Sequence, residues 1–325
     1  RYEEALICYD SAIKIWPDHA ETHYNKAVAL GELGRHEEGL ACLERAIEIS
    51  PDCAEAHCWH GTMLCELGTE EKALVYYDRA IQLRPEYAEA YCKKGSALAK
   101  LGQQEQAINC FDRAIRIAPD SVEAYGQKGN VLRNLGRYDE AIGCYDQVIQ
   151  IKPDDPQTHC SRGAVLVSLG DHEEAIASYD RAIKIKPDFA EAHYSRGIAL
   201  HKLGRDQEAV NCFERAVRIK PDHLQAYCNK AAALIYLSRY RAAVETCERA
   251  LRIKPDYARA YYNRACALSR LNERDEALAD LRKAVALDAR FKEKAKADAD
   301  LGGLRNHLGF RRLVDSDPGG PAPLT

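Results

Sequence analysis

Pro17, Pro51, Pro85, Pro119, Pro153, Pro187, Pro221 and Pro255 stand 34 residues apart without a slip. A fixed period of this length specifies one supersecondary unit stacked on copies of itself, since no single unit can bury its own apolar face. With this proline as position 32, complete units begin at Ala20, Ala54, Ala88, Val122, Pro156, Ala190, Leu224 and Ala258, and together they fill residues 20–291. Position 15 is Gly34, Gly68, Gly102, Gly136, Gly170 and Gly204, then Ser238 and Asn272. Glycine just past a helix end supplies a left-handed cap, so a first helix covers about positions 1–14. Positions 20, 21, 24, 27 and 28, for example Ala107, Ile108, Phe111, Ala114 and Ile115, share one helical face and mark a second helix, which the proline ends. The Asp after that proline (Asp52, Asp120, Asp188, Asp222) is placed to cap or favour the next helix.

Position 11 is Leu in every unit, position 8 is Gly or Ala, and position 20 is Ala except at Gly39. Small residues on both partners let two antiparallel helices approach closely, so each unit should close as a hairpin. These residues resemble the tetratricopeptide repeat, and the resemblance spans the whole of 20–291. It implies an all-α fold: a right-handed α-solenoid superhelix of 34-residue helix-turn-helix units with C-terminal capping helices. Departures occur at His23, His57, His159 and His193 (position 4), at Cys247 and Leu281 (position 24, aromatic in the family), and at Ala289 in place of the last proline. Residues 1–19 match only the second helix of a repeat and should expose Leu6, Tyr9 and Ile13. Residues 292–314 mix Leu301, Leu304, Leu308, Phe310 and Leu313 with Lys and Arg, as a terminal cap would, and 315–325 reads as a disordered tail.

Charge and composition narrow the function. With 46 Lys+Arg against 50 Asp+Glu the net charge is -4, so no basic excess favours nucleic acid. The longest apolar run, Ala231 to Leu237, falls far short of the ~20 residues that span a bilayer, so no membrane partner is expected. An odd count of 13 cysteines cannot pair fully within one chain and suits a reducing cytoplasm. No phosphate-cradling loop and no nucleophile beside a base stands outside the repeat framework, so neither an enzyme nor a small-molecule cofactor is expected.

A repeat array binds through positions that neither build the core nor close the turns. On the first helix these are 2, 6, 9 and 13, with 5 and 12 at the flank, and by resemblance they line a concave groove. Position 5 offers Tyr24, Cys58, Tyr194 and Tyr262; position 6 offers Asn25, Trp59, Lys93, Gln127, Ser161, Ser195, Asn229 and Asn263. Asn130 and Ile198 stand at position 9, Arg133 and His201 at 12, and Tyr236 at 13. This set is expected to bind an extended or helical segment of another protein, anchored on Trp59, Tyr24, Tyr194, Tyr236 and Tyr262. Glu21, Glu32, Glu55, Glu66 and Glu89 come early and Lys93, Lys100, Arg133, Lys202, Arg259 and Arg270 later, a charge gradient that would orient the segment.

Two variants within the family fit less well. The carboxylate clamp of chaperone co-factors uses Lys at position 5 and Asn at position 9; here position 5 is never Lys and position 9 is Asn only at Asn130. The substrate arm of repeat-linked glycosyltransferases uses a run of Asn at position 6, of which Asn25, Asn229 and Asn263 remain. The alternative to an adaptor is therefore a substrate-recognition arm of a larger enzyme.

Two further patterns read as structural. Position 7 is Lys26, His60, Lys94, Lys128, Arg162, Arg196, Lys230 and Arg264, and position 25 is acidic in the first seven units, which predicts an ion pair inside each unit. Cys53, His57, Cys58, His60 and Cys65 offer zinc donors, but Cys58 and Cys65 lie two helical turns apart, about 10 Å, too far to share an ion, so no metal is expected.

Overall fold

A computed structural model describes residues 1–315, and every regular element among them is helical. Apart from Asp315, the tail expected over 315–325 lies outside the described residues. The chain divides into two compact units, Arg1–Asp154 and Asp155 onward. The first contains α1 (Tyr2–Ile15), α2 (Ala20–Glu32), α3 (His36–Ile49), α4 (Ala54–Glu66), α5 (Glu70–Leu83), α6 (Ala88–Lys100), α7 (Gln104–Ile117), α8 (Val122–Asn134) and α9 (Tyr138–Ile151). The second contains α10 (Pro156–Leu169), α11 (His172–Ile185), α12 (Ala190–Lys202), α13 (Asp206–Ile219), α14 (Leu224–Tyr236), α15 (Tyr240–Ile253), α16 (Ala258–Arg270) and α17 (Arg274–Leu287). It ends in α18 (Arg290–Ala297), a 3-10 turn (Ala299–Leu304) and α19 (Leu308–Asp315). Each is an all-α solenoid of tandem helix pairs. No helix among the described residues is long and apolar enough to cross a membrane.

The hairpins close through an exchange between positions 8 and 24. Where position 24 is aromatic, position 8 is glycine, and a Cβ on Gly61, Gly95, Gly129, Gly163 or Gly197 would lie 2.6–2.8 Å from the ring of Tyr77, Phe111, Tyr145, Tyr179 or Phe213. Those rings are at most 2% exposed. Where position 24 is Leu43, Cys247 or Leu281, position 8 is Ala27, Ala231 or Ala265, and all six are fully buried. The methyl group thus fills the room that the smaller partner leaves, holding interior density constant. The caps follow the expected chemistry: the six glycines take φ between +72° and +93°, and Ser238 (+56°) and Asn272 (+63°) take the same left-handed conformation.

Three expectations need correction. The Asp after the proline, as at Asp52, Asp120 and Asp188, is a turn residue, and the N-cap is the residue that follows it. Only a few of those residues, such as Ser121 and Asp155, accept a bond from the helix. The position-7 cations pair mainly with the acid of the preceding unit: Lys26 with Asp10 at 2.6 Å, Lys94 with Asp78 at 2.5 Å, Lys128 with Asp112 at 2.6 Å, and Lys230 with Glu214. The first helix of one unit lies against the second helix of the unit before, so the ladder stitches neighbours together rather than closing hairpins. Finally, Leu6 of α1 is buried against Ala29 and Leu30 and Tyr9 and Ile13 are half-buried, while Tyr2, Ile7, Ile15 and Trp16 are exposed.

Candidate protein-binding surface

Position 4 shows how the turns are locked beneath the wall. His23, His57 and His193 each place Nε2 within 2.8–3.0 Å of the carbonyl of Pro17, Pro51 or Pro187, tying the start of a helix to its own turn. These three histidines, which interrupt the aromatic pattern, are therefore turn fasteners. His60 replaces a position-7 cation with a ring stacked 3.8 Å from that of Tyr76. Neither of its nitrogens has a hydrogen-bond partner, and burial, helped by His57, pushes its pKa down to about 4. No group of three His, Cys, Asp or Glu side chains able to hold a metal occurs among the described residues. All 13 cysteines are free thiols.

In the first unit, α2, α4, α6 and α8 present a wall with two adjoining hollows. One, about 440 Å³, is lined by Gly31 and Glu32 of α2, by Gly34 and His36 after it, and by Trp59, Thr62, Met63 and Glu66 of α4. The other, about 210 Å³, shares Thr62 and Glu66 and continues over Lys93, Ser96 and Lys100 to Glu123 and Gln127. Trp59 is half-buried and Gln127 exposed. Asn130 accepts a bond from the core hydroxyl of Tyr145 at 2.9 Å, which fixes its amide. Asn25 and Arg133 are partly exposed on the same helices. Half-buried Tyr24 lies among carboxylates, and burial together with Glu55 and Glu89 raises its pKa to about 12.

In the second unit, Ser195, Ile198 and His201 on α12 and Asn229 and Tyr236 on α14 form the corresponding face. Asn229 donates to the Tyr194 hydroxyl at 3.1 Å and accepts from Arg259 at 2.6 Å. Tyr236 is 73% exposed and meets the His201 ring edge-on at 5.1 Å, while His201 is held by Asp206.

Several expected wall residues lie elsewhere. Cys58 is 1% exposed, and burial raises its thiol pKa to about 12. Cys92 and Cys228 share that environment, so position 5 packs one repeat on the next. Ser161 is buried. Tyr262, also 1% exposed, is covered by the chain that follows α17. Its hydroxyl donates to Asp298 at 2.7 Å, its ring stacks 4.6 Å from Phe291, and Lys294 sits 4.5 Å above it. Burial and the Asp298 carboxylate push its pKa far up. Asn263 is buried and donates to the Cys228 carbonyl at 2.9 Å. Thus Cys58, Ser161, Tyr262 and Asn263 do not form an open surface. The charge gradient is weakened too: Lys93 pairs with Glu123 at 2.8 Å, Lys100 with Glu70 at 3.3 Å and Arg270 with Asp300 at 3.7 Å. Thr62 and Ser96 line the wall without having been singled out for it, although they occupy the same position 9 as Asn130 and Ile198.

Sequence and structure comparisons fit this architecture. The tetratricopeptide repeat model matches residues 20–53, 88–121, 190–223 and 224–257, with two further models of that description at 110–143 and 258–291. A TPR repeat model matches 61–102, 129–170 and 163–204. No curated protein matches the chain. Among solved structures it is similar to a tetratricopeptide repeat protein from Parabacteroides merdae, with a TM-score of 0.56 and 16% identity over 78% of this chain and 99% of that one. It is also similar to the Cut9–Hcn1 hetero-tetramer of the APC/C (0.53, 17%, covering 94% and 57%) and to YrrB, described as a TPR protein with an unusual peptide-binding site (0.50, 23%, 57% and 95%). At these identities the likeness is one of fold. The 34-residue period, the small-against-large hairpin seam and models that together match residues 20–53 and 61–291 lead to one conclusion: the chain belongs to the tetratricopeptide repeat family.

Proposed function

We propose that this chain, a protein-interaction scaffold in the general sense of its family, captures an extended or helical segment of a partner protein on the inner wall of its first unit. The observation that carries this reading is the hollow over Trp59. A large aromatic ring stands half-exposed on a helix face, at a position that is polar in every other unit. Interfaces take most of their energy from such aromatic residues set in concave, polar-rimmed surroundings. Tyr236 supplies the comparable exposed ring in the second unit. Thr62, Ser96 and Gln127 beside Trp59 can bond a peptide backbone, whereas the ion-paired Lys93 and Lys100 contribute mainly to register.

The test is affinity capture from extract of the source cell with the wild-type chain and with W59A and Y236A, each first shown by circular dichroism to keep its helicity. Proteins retained by wild type should be depleted with W59A. An indistinguishable retained set would move the binding surface elsewhere.

A further inference from the structure

The repeats act as controls for one another, and one place departs from all of them together. Position 6 is Trp only at Trp59, position 12 is Gly only at Gly31, position 20 is Gly only at Gly39, and Met63, at position 10, is the only methionine of the chain. The structure brings all four to one spot. A Cβ on Gly31 would lie 3.7 Å from the Trp59 ring and 3.0 Å from the Met63 methyl, and a Cβ on Gly39 would fall within 2.6 Å of the Met63 sulfur. The missing side chains let Met63 and Trp59 lie flush against α2 and leave the 440 Å³ hollow above them.

Its carboxylates face no lysine or arginine in the lining, whose one further titratable group is the imidazole of His36. Glu32 and Glu66, both exposed, line the hollow, and neither has an ion-pair partner among the described residues. The nearby ammonium groups are already used, Lys93 by Glu123 and Lys100 by Glu70. An indole face edged by two uncompensated carboxylates is complementary to a flat cation. Guanidinium suits it better than ammonium, because it stacks on the ring while its N–H groups reach carboxylate oxygens.

We propose that the Trp59 hollow receives an arginine side chain from a basic segment of the partner, stacked on the indole and held by Glu32 and Glu66. This rests on the reading of the first unit's wall as the partner-binding surface, and it names the chemistry that wall selects.

The experiment uses the full chain carrying W16F, which leaves Trp59 as the sole tryptophan reporter. An octapeptide alternating Arg and Ser is titrated at low ionic strength beside the same peptide with citrulline, lysine or glutamate in place of arginine. The arginine peptide should shift Trp59 emission saturably. The lysine peptide should bind more weakly, and the citrulline and glutamate peptides more weakly still. E32Q/E66Q should weaken arginine binding by roughly threefold to thirtyfold, and W59L, read by anisotropy of a labelled peptide, by a similar factor. Equal binding of the citrulline or glutamate peptide, or arginine binding unmoved by E32Q/E66Q and W59L, would overturn the proposal.

A random 12-residue peptide library selected against the wild-type chain and against W59A separates this proposal from the reading beneath it. Selected peptides that depend on Trp59 and are rich in arginine support both. Selected peptides that depend on Trp59 but carry no basic residue overturn the arginine assignment and leave the wall standing. Selected peptides that bind W59A as well as wild type overturn both.

Discussion

Gly197→Ala tests whether positions 8 and 24 form one packing unit. The new Cβ would stand 2.6 Å from Phe213 Cε1 and within 3.0 Å of two further ring atoms, against a preferred carbon separation of about 3.5–4.0 Å. Phe213 is fully buried, so its ring has nowhere to retreat, and overpacking of this kind costs about 1–3 kcal/mol. Alanine returns about 1 kcal/mol of helix propensity over glycine, leaving a net loss of roughly 0–2 kcal/mol. Phe213→Leu alone empties part of the same slot and should cost about 1–2 kcal/mol. In the double variant the alanine methyl enters the vacated room, as Ala27 does beside Leu43 and Ala265 beside Leu281. The two substitutions should therefore couple favourably by about 1–3 kcal/mol, with G197A/F213L at least as stable as F213L. Urea unfolding followed by far-UV circular dichroism gives the four stabilities, and hydrogen exchange of α12 and α13 gives the local effect, which matters because a repeat array can unfold in parts. Additivity within about 0.5 kcal/mol would refute the reasoning.

Ser238→Gly should raise the melting temperature, since a serine at φ +56° carries a left-handed penalty that glycine lacks; after glycine's entropy cost the gain is about 0.5–1 kcal/mol. Asn272→Gly should gain less, because asparagine tolerates that conformation, and an equal gain at both sites would contradict the account. Lys230 holds the Glu214 carboxyl below its ordinary value. That depression stabilises the fold above the unfolded carboxyl pKa near 4.3 and is lost as pH falls through the folded value. K230M should thus cost about 0–1 kcal/mol at pH 7 and nothing near pH 2, and urea midpoints showing the same loss at both would sink the assignment. Tyr262→Phe removes the hydroxyl bonded to Asp298 and should cost about 1–3 kcal/mol at the cap, seen as faster hydrogen exchange over 299–304 with α2 to α9 unchanged.

The helix pairs and their caps were legible because each is written eight times in phase, so that Gly34 and Gly204 report one turn. The candidate wall was read by position from the same period, and Trp59, Gln127 and Tyr236 are at least partly exposed where it places them. The ladder's register was not. The acid 16 residues before Lys94 and the one 18 residues after it recur with the same period, and the periodic pattern is identical for both pairings; only the packing of a helix on the preceding unit selects Asp78. Position 5 was misread because it lies between wall and core on the helical wheel, and contact with the next repeat, which a single-helix projection omits, buries Cys58 and Cys92. The fate of Tyr262 and Asn263 was hidden for another reason. Residues 292–304 have no period, so nothing in their spacing tells that Asp298 folds back over α16, beside Phe291 at the end of the last repeat.

Departures from a repeat divide into those compensated by a neighbour and those that are not, and the two kinds mean different things. Ala231 beside Cys247 is compensated: one residue grows as the other shrinks, and the volume of the seam is kept. Met63 is compensated in the same sense, because Gly39 and Gly31 give up the space its sulfur and methyl occupy. Trp59 is not. Gly31 gives the ring a floor, yet the ring stays half-exposed, and other units fill position 6 with Lys93, Gln127 or Ser195 and keep the same hairpin. Packing against the cluster of Ala27, Leu43, Ala56 and Met63 accounts for the buried part of the indole, and the same hairpin forms in the other units without it. On the reading proposed above, the half-exposed part of the ring, beside two unpaired carboxylates, answers to a partner's side chain.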